Sequence, residues 1–284
     1  MALHSLQQYA QAASRAAVAA GRLLAQSLGR HGAVKTKRSP IDLVTKIDRA
    51  SEQLIETTLS SACPEVGFLG EEGGARKDDA SYRWIVDPLD GTNNFVHGFP
   101  MFGVSIGLED RRPATASQGT HMLVGVIYDP LRRELFVAIR GRGARLNGKP
   151  LHVSPTSTLS HSLLSTGFSS AFLRKDQPYL GWFTTLQRAS HGVRRIGSTV
   201  LSLAFVAAGR LEGFYERDLW PWDMAAGLLI VEEAGGRVSQ LDGSPVILAR
   251  NELVATNGHI HRELLNTLAS TATPQRASRL DRRG

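Results

Sequence analysis

The sequence predicts a layered α/β protein in which helices pack on sheets. Two observations point there. Near the N-terminus apolar residues recur every three or four positions, the period of a helix with one buried face, and from Gly67 onward they fall into short runs of strand length. In the second half strand-like and helix-like segments alternate, the pattern of helices laid over a sheet. With 284 residues, 42% of them hydrophobic and 21% charged, the chain has the composition of a globular protein and can bury a sizeable core.

Leu3, Leu6, Ala10, Ala13, Ala17, Ala20, Leu24 and Leu28 form one stripe with Gln, Arg and Ser outside it, so a first helix is expected to end near Gly29 or Gly32. A second is expected over about 45–61, with Leu54, Ile55 and Leu59 as its apolar positions and Pro64 closing it. Strands are expected at Phe68-Leu69, Trp84–Val86, Phe102–Leu108, Met122–Tyr128 and Glu134–Ile139. The stretch from Val124 to Ile139 reads as an antiparallel hairpin turned at Asp129-Pro130. Arg140-Gly-Arg-Gly and Asn147-Gly148 are further turn signals.

Beyond them the reading is a strand at Leu163–Thr166, helices at about 171–189 and 199–208, and a strand at Leu211–Tyr215. A helix at Asp223–Ala234, short strands at Arg237–Leu241 and Leu253–Ala255, and a final helix over about 260–269 follow. A division near 145–160, where Gly, Pro and Ser are dense, separates an N-terminal region, residues 1–150, from a C-terminal region, residues 151–273. Residues 274–284 read as a disordered tail, with four arginines against one aspartate.

The longest apolar run, Met224 to Val231, is far short of the roughly 20 residues a membrane-spanning helix needs. Arg15 and Arg22 interrupt the alanine-rich N-terminus, which reads as a mature helix and not a secretion signal. Cys63 is the single cysteine, which excludes an intrachain disulfide and fits a cytoplasmic location. The nine histidines show no metal-binding spacing, so no zinc site is expected. The net charge is +7, and +3 of it lies in the tail.

In a basic chain the informative feature is where the acids gather. The strand Trp84–Val86 leads into Asp87-Pro88-Leu89-Asp90-Gly91-Thr92, where Pro88 fixes one backbone angle and Gly91 frees another. This segment suits either a plain tight turn or a hard-cation site in which Asp87, the Leu89 carbonyl and Asp90 face one point. Glu71-Glu72 places two like charges at another strand end, where they need a cation or full solvation; solvation is preferred for Glu72. Asp223, after Trp220-Pro221-Trp222, opens an apolar helix, where it can be a plain cap, although a helix N-terminus is also where a phosphate is readily held. The two tryptophans are expected to pack beside the site.

Taken in order, Glu71-Glu72, then Asp87-Pro88-Leu89-Asp90-Gly91-Thr92-Asn93-Asn94-Phe95, then Trp222-Asp223-Met224-Ala225-Ala226 and Glu233-Ala234-Gly235-Gly236, resemble the inositol monophosphatase family. The resemblance runs from the N-terminal helix to about residue 270. It implies an alternating αβαβα sandwich, as in fructose-bisphosphatases, and a Mg²⁺-dependent, lithium-sensitive phosphomonoesterase using two or three ions, commonly dimeric. Glu71, Asp87 and the Leu89 carbonyl would hold the activating metal, and Asp87, Asp90 and Asp223 a second. Thr92 with Glu71 would orient and deprotonate the attacking water, with Asp48 hydrogen-bonded to Thr92. A helix-surface acid is the other reading of Asp48.

The same resemblance assigns substrate contacts to Asp90, Gly91, Thr92, Gly197, Ser198, Thr199 and Glu216, and places Lys37 near the site. Lys37 also reads as a solvated loop cation, Ser198 and Thr199 as helix caps and Glu216 as an exposed edge residue. Gly73 and Asn93 depart from the family's commoner residues without removing a ligand. Inositol 1-phosphate is the first substrate expected, while relatives act on fructose 1,6-bisphosphate, histidinol phosphate or NADP. A competing reading from the charge and the arginine tail is a protein that meets RNA or a transcription complex, with the phosphatase activity secondary.

Overall fold

The computed structural model describes residues 3–29, 34–36, 43–112, 119–168 and 179–272. Within them helix and sheet layers alternate in the expected αβαβα order. The outer layer is α1 (Leu3–Ser27) and α2 (Lys46–Ala62). α1 buries more than the expected stripe: Tyr9, Ala12 and Ala16 are buried besides Leu6, Ala10, Ala13, Ala17, Ala20 and Leu24, because sheet and α2 both cover it. α2 departs further from expectation. Its buried face is Asp48, Ser51, Glu52, Ile55 and Leu59, so three of the five are polar, and Leu54 is only half-buried.

A small antiparallel pair, β1 (Val34–Thr36) and β2 (Leu43–Thr45), precedes α2. The first main sheet contains β3 (Gly67–Gly70), β4 (Gly74–Arg76), β5 (Tyr82–Asp90), β6 (Gly103–Asp110), β7 (Met122–Asp129), β8 (Glu134–Ile139), β9 (Ala144–Leu146) and β10 (Lys149–Pro150). Its order is β10-β9-β8-β7-β6-β5-β3-β4, antiparallel throughout except between β3 and β5. Central β7 is buried along its whole length because helices cover both faces. The expected β7–β8 hairpin is present. The Asp129 carboxylate closes its turn by accepting from the N–H groups of Leu131 and Arg132 at 3.1 and 3.0 Å. Asn147 and Gly148, at φ 48° and 81°, turn β9 into β10, strands too short to be read from the sequence.

The middle layer is α5 (Thr199–Ala207) and α6 (Pro221–Glu233). Every residue of α5 and the run Met224–Val231 of α6 are buried. The longest apolar run is therefore the centre of a sandwich, and no helix among the described residues is long and apolar enough to cross a membrane. The second sheet, β12-β11-β13-β15-β14, is built from β11 (Leu163–Thr166), β12 (Gly192–Arg194), β13 (Gly213–Arg217), β14 (Arg237–Ser239) and β15 (Glu252–Thr256). Helices α4 (Tyr179–Ala189) and α7 (His261–Ala272) form the last layer around Tyr179, Trp182, Leu264 and Leu268. The first residues of the helix expected at 171–189 lie outside the described residues, as does the tail 274–284.

β13 begins and ends two residues later than expected from the sequence. Leu211 and Glu212 stay outside it, with the Glu212 carboxylate taking the Leu163 N–H at 2.6 Å. Glu216 consequently sits inside a central strand, paired with Leu253 and buried; it is not an exposed edge residue.

At the start of α7, His261 is 1% exposed between the hydroxyls of Ser239 and Thr256, each 2.9 Å from a ring nitrogen. The Ser239 hydroxyl donates to the Gln240 carbonyl, so it accepts from Nε2–H, and Thr256 donates to Nδ1. The ring is thereby held neutral. Burial, with a smaller push from Arg237, lowers its pKa to about 4. Since an unfolded histidine titrates near 6.5, this group favours the fold fully above about pH 6.5 and loses that contribution as pH falls through 4, about 3 kcal/mol in all. Urea unfolding between pH 7 and pH 4 is expected to show a steeper loss for the native chain than for His261→Gln. Parallel pH profiles would refute this.

Candidate active site

In a regular strand, residues three apart point to opposite faces. Along β5, Asp87 pairs with Ser105 of β6, but Asp90 pairs with Gly103, so one extra residue has been inserted between them. This bulge brings the two aspartates to the same side. Pro88 tolerates the break because it has no N–H to satisfy, and its carbonyl is taken by the Ser51 hydroxyl at 2.8 Å. The Leu89 N–H folds back onto Asp87 Oδ1 at 3.0 Å. Asp223 arrives from the first turn of α6, its Oδ2 accepting the Trp220 N–H at 2.6 Å. It sits inside the helix, which begins at Pro221 and not at Asp223 as the sequence suggested.

Asp87, Asp90 and Asp223 each offer a carboxylate oxygen, all within 4.8 Å of one another. Asp90 Oδ2 accepts from the Ser198 hydroxyl and from the Val200 N–H at 3.0 Å. Even so, the protein crowded around this carboxylate pushes its pKa up to about 6, because desolvation outweighs those donors. Asp223 is raised well above the usual carboxylate range, first by desolvation and then by the charges of Asp90, Glu71 and Glu216. Such convergent acids repel each other until a cation joins them, and an all-oxygen donor set fits a hard divalent ion.

Around this cluster, Thr92 opens the short helix α3 (Thr92–Val96), and its hydroxyl lies 3.1 Å from both Asp48 Oδ1 and the Leu89 carbonyl. Asp48 is 1% exposed, which removes the helix-surface reading. Glu71 leaves β3 with its N–H on the Val86 carbonyl at 3.3 Å; it is outside the three-acid cluster, yet its charge reaches Asp223. Gly91 holds φ 89° between these parts.

On the far wall, Glu216 accepts from the Thr199 hydroxyl at 3.2 Å, and burial pushes its pKa up to about 8. Ser198 caps α5, accepting the Leu201 N–H at 3.3 Å, while its own proton goes to Asp90. Gly197, at φ 78°, lies against the Asn94 amide, which donates toward the carbonyls of Met101, Ile196 and Gly197 at 2.6, 3.0 and 3.2 Å. Trp220 stacks on Trp222 at 5.5 Å with the rings 7° apart, beside the site as expected. Lys37 lies outside the described residues.

Sequence reasoning missed Ser51, Glu52 and Asn94. For the first two the only signal was that Asp48, Ser51, Glu52 and Ile55 share one helix face.

A family model described as the inositol monophosphatase family matches residues 5–274. The chain belongs to the inositol monophosphatase family. The inositol-1-monophosphatase of Synechocystis sp. is 43% identical over 271 residues, 95% of this chain and 91% of its own length. A protein named Nus factor SuhB from Pseudomonas aeruginosa is 42% identical, covering 92% of this chain and 96% of its own. The solved inositol monophosphatase of Anabaena (Nostoc) sp. superposes with a TM-score of 0.82 at 40% identity, over 94% of this chain and 97% of that one. As a member of this phosphatase family, the chain is an enzyme, a phosphoric monoester hydrolase.

Proposed function

We propose that the chain is a cytoplasmic, dimeric, Mg²⁺-dependent phosphatase that hydrolyses inositol 1-phosphate to inositol and phosphate. The observation that carries this reading is the convergence of Asp87, Asp90 and Asp223 beside the Thr92–Asp48 pair. Asp87, Asp90 and Asp223 would hold one ion, and Glu71, Asp87 and the Leu89 carbonyl another, with Asp87 shared. When bound, such ions neutralise the phosphate dianion, lower the pKa of the attacking water and stabilise the leaving alkoxide.

The chain's own groups do the rest. Asp48 accepts the Thr92 proton, which leaves a Thr92 lone pair to accept a hydrogen bond from the attacking water, and Glu71 takes that water's proton. By this reading the Thr92 N–H would donate to a phosphate oxygen, while the Gly91 N–H is held by the Asp90 carboxylate. Glu216 and Thr199 receive the polyol, the buried carboxyl group and the hydroxyl together offering ring hydroxyls both acceptors and donors. Gly197 lets the chain approach the substrate closely, and Ser198 acts by fixing Asp90. Sensitivity to lithium belongs to the same reading.

A panel of inositol 1-phosphate, fructose 1,6-bisphosphate, histidinol phosphate and NADP, assayed for phosphate release with Mg²⁺ and again with chelator, tests it. Inositol 1-phosphate is expected to turn over fastest and chelator to abolish release. Turnover of none of the four would overturn the proposal. The relative named Nus factor and the +7 charge favour a second reading, contact with nucleic acid or a transcription complex. RNA binding that weakens steeply with salt, and weakens further on removal of 274–284, would support that reading.

A further inference from the structure

We propose that Glu52 is the positioning residue for Glu71, and that α2 thereby holds the β3–β4 turn and the Asp87–Thr92 segment of the active site at fixed spacing. The inference rests on the metal reading of the site given above. Burying Asp48, Ser51 and Glu52 on one helix face is unfavourable unless each is hydrogen-bonded. Each is bonded, the first two to the Asp87–Thr92 segment and the third to the β3–β4 turn. Asp48 takes the Thr92 hydroxyl at 3.1 Å, and Ser51 donates to the Pro88 carbonyl inside the β5 bulge at 2.8 Å. Glu52 Oε2 accepts the Glu72 N–H at 2.8 Å, and the Gly73 N–H donates to the same carboxylate.

The turn is shaped around that carboxylate. A Cβ on Gly70 would collide with Glu52 Oε2, and one on Gly73 would stand 2.7 Å from Oε1. Both positions lack a side chain where the carboxylate approaches. Glu71 lies between Gly70 and Glu72, so its backbone is tied to β5 through the Val86 carbonyl and to α2 through the neighbouring Glu72 N–H. The separation of Glu71 from Asp87 is then set by one rigid helix that also carries the partners of Pro88 and Thr92. Two N–H donors converge on Glu52, and a glutamine offers one acceptor oxygen with its amide hydrogens turned toward the second donor. Glu52→Gln therefore restores part of the arrangement, and Glu52→Ala none.

The test is direct binding of Mn²⁺ to the full chain, with free Mn²⁺ read by electron paramagnetic resonance, alongside thermal melting. Glu52→Ala is expected to weaken binding about tenfold to a hundredfold, the usual effect of removing a group that orients a metal ligand. Glu52→Gln is expected to fall between it and the native chain. Leu59→Ala, a core truncation farther along α2, is expected to lower the melting temperature with Mn²⁺ affinity unchanged. Native affinity in Glu52→Ala would overturn the proposal, and so would an equal loss in Leu59→Ala. If Glu52→Ala does not fold, Glu52→Gln decides: a loss of about threefold or more supports the role, and native affinity overturns it. A native chain that binds no Mn²⁺ would overturn the metal reading itself, and this inference with it.

Discussion

Asp90→Asn is expected to lower Mg²⁺-dependent phosphate release about a thousandfold while leaving the protein folded. The substitution is nearly isosteric, and the asparagine oxygen can still accept from Ser198 and the Val200 N–H. What is lost is one of three negative charges whose oxygens lie within 4.8 Å of one another. Cation stabilisation of a phosphoryl transition state is worth several kcal/mol, and about 4 kcal/mol corresponds to a factor of a thousand in rate. Stability should move the other way in the absence of metal. Desolvation holds the Asp90 pKa near 6 and crowding by Asp90 raises Asp223, so at neutral pH the variant relieves a repulsion that the native site carries.

Melting curves with and without Mg²⁺ give this prediction a second readout. A ligand present at a hundred times its Kd stabilises a fold by about 2.7 kcal/mol. The native chain is expected to show a clear upward shift with Mg²⁺, and Asp90→Asn little. Full activity in Asp90→Asn, or an equal Mg²⁺ shift in both proteins, would refute the assignment of Asp90.

Gly91→Ala is expected to combine a clear loss of stability with near-complete loss of activity. Gly91 stands at φ 89°, a conformation that costs a residue bearing a Cβ roughly 1–3 kcal/mol. The new Cβ would also lie 2.9 Å from the Met101 carbonyl oxygen and 3.2 Å from that of Gly197, so two backbone segments would have to retreat. The residues on either side are Asp90 and Thr92, and a shift of about 1 Å at reacting groups costs on the order of a hundredfold in rate. Urea unfolding should show a loss of about 2 kcal/mol or more, and phosphate release should drop at least about a hundredfold. Native stability together with native activity would mean that the turn tolerates a side chain and that its shape does not position the acids.

Much of the fold is legible in the chain because its layers have different periods. The α1 stripe repeats like a helix, the strands around β7 are short apolar runs, and α5 and α6 are apolar all round because they lie between two sheets. The acids were equally legible as types in order. Their convergence was legible only through the family resemblance, since spacing alone left a plain turn equally open. Asp87 and Asp90 share a side only because β5 gains a residue against β6, whereas the sequence placed that segment, as a turn or a cation loop, after the end of the strand.

The face of α2 was misread for a related reason. Its apolar positions were assigned by period alone, so Leu54 was expected inward and Asp48 could stand on the surface. In the fold Asp48, Ser51 and Glu52 are buried because partners from two distant segments, Pro88 to Thr92 and Glu72, reach them. Periodicity records which face is apolar, and it says nothing about a polar face whose hydrogen-bond partners come from elsewhere in the chain.

The sequence by itself determined the layered α/β class, the family, and the acid, threonine and glycine types that a hard cation and a phosphate require. Tertiary structure alone decided how these groups are brought together, that Glu216 is buried within a central strand, that Ser198 serves Asp90, and that one helix braces both the Asp87–Thr92 segment and the β3–β4 turn. The physical reason is that residue chemistry and local period are written along the chain, whereas distances between residues tens of positions apart are set by the bulge, the sheet order and the burial of the polar face of α2.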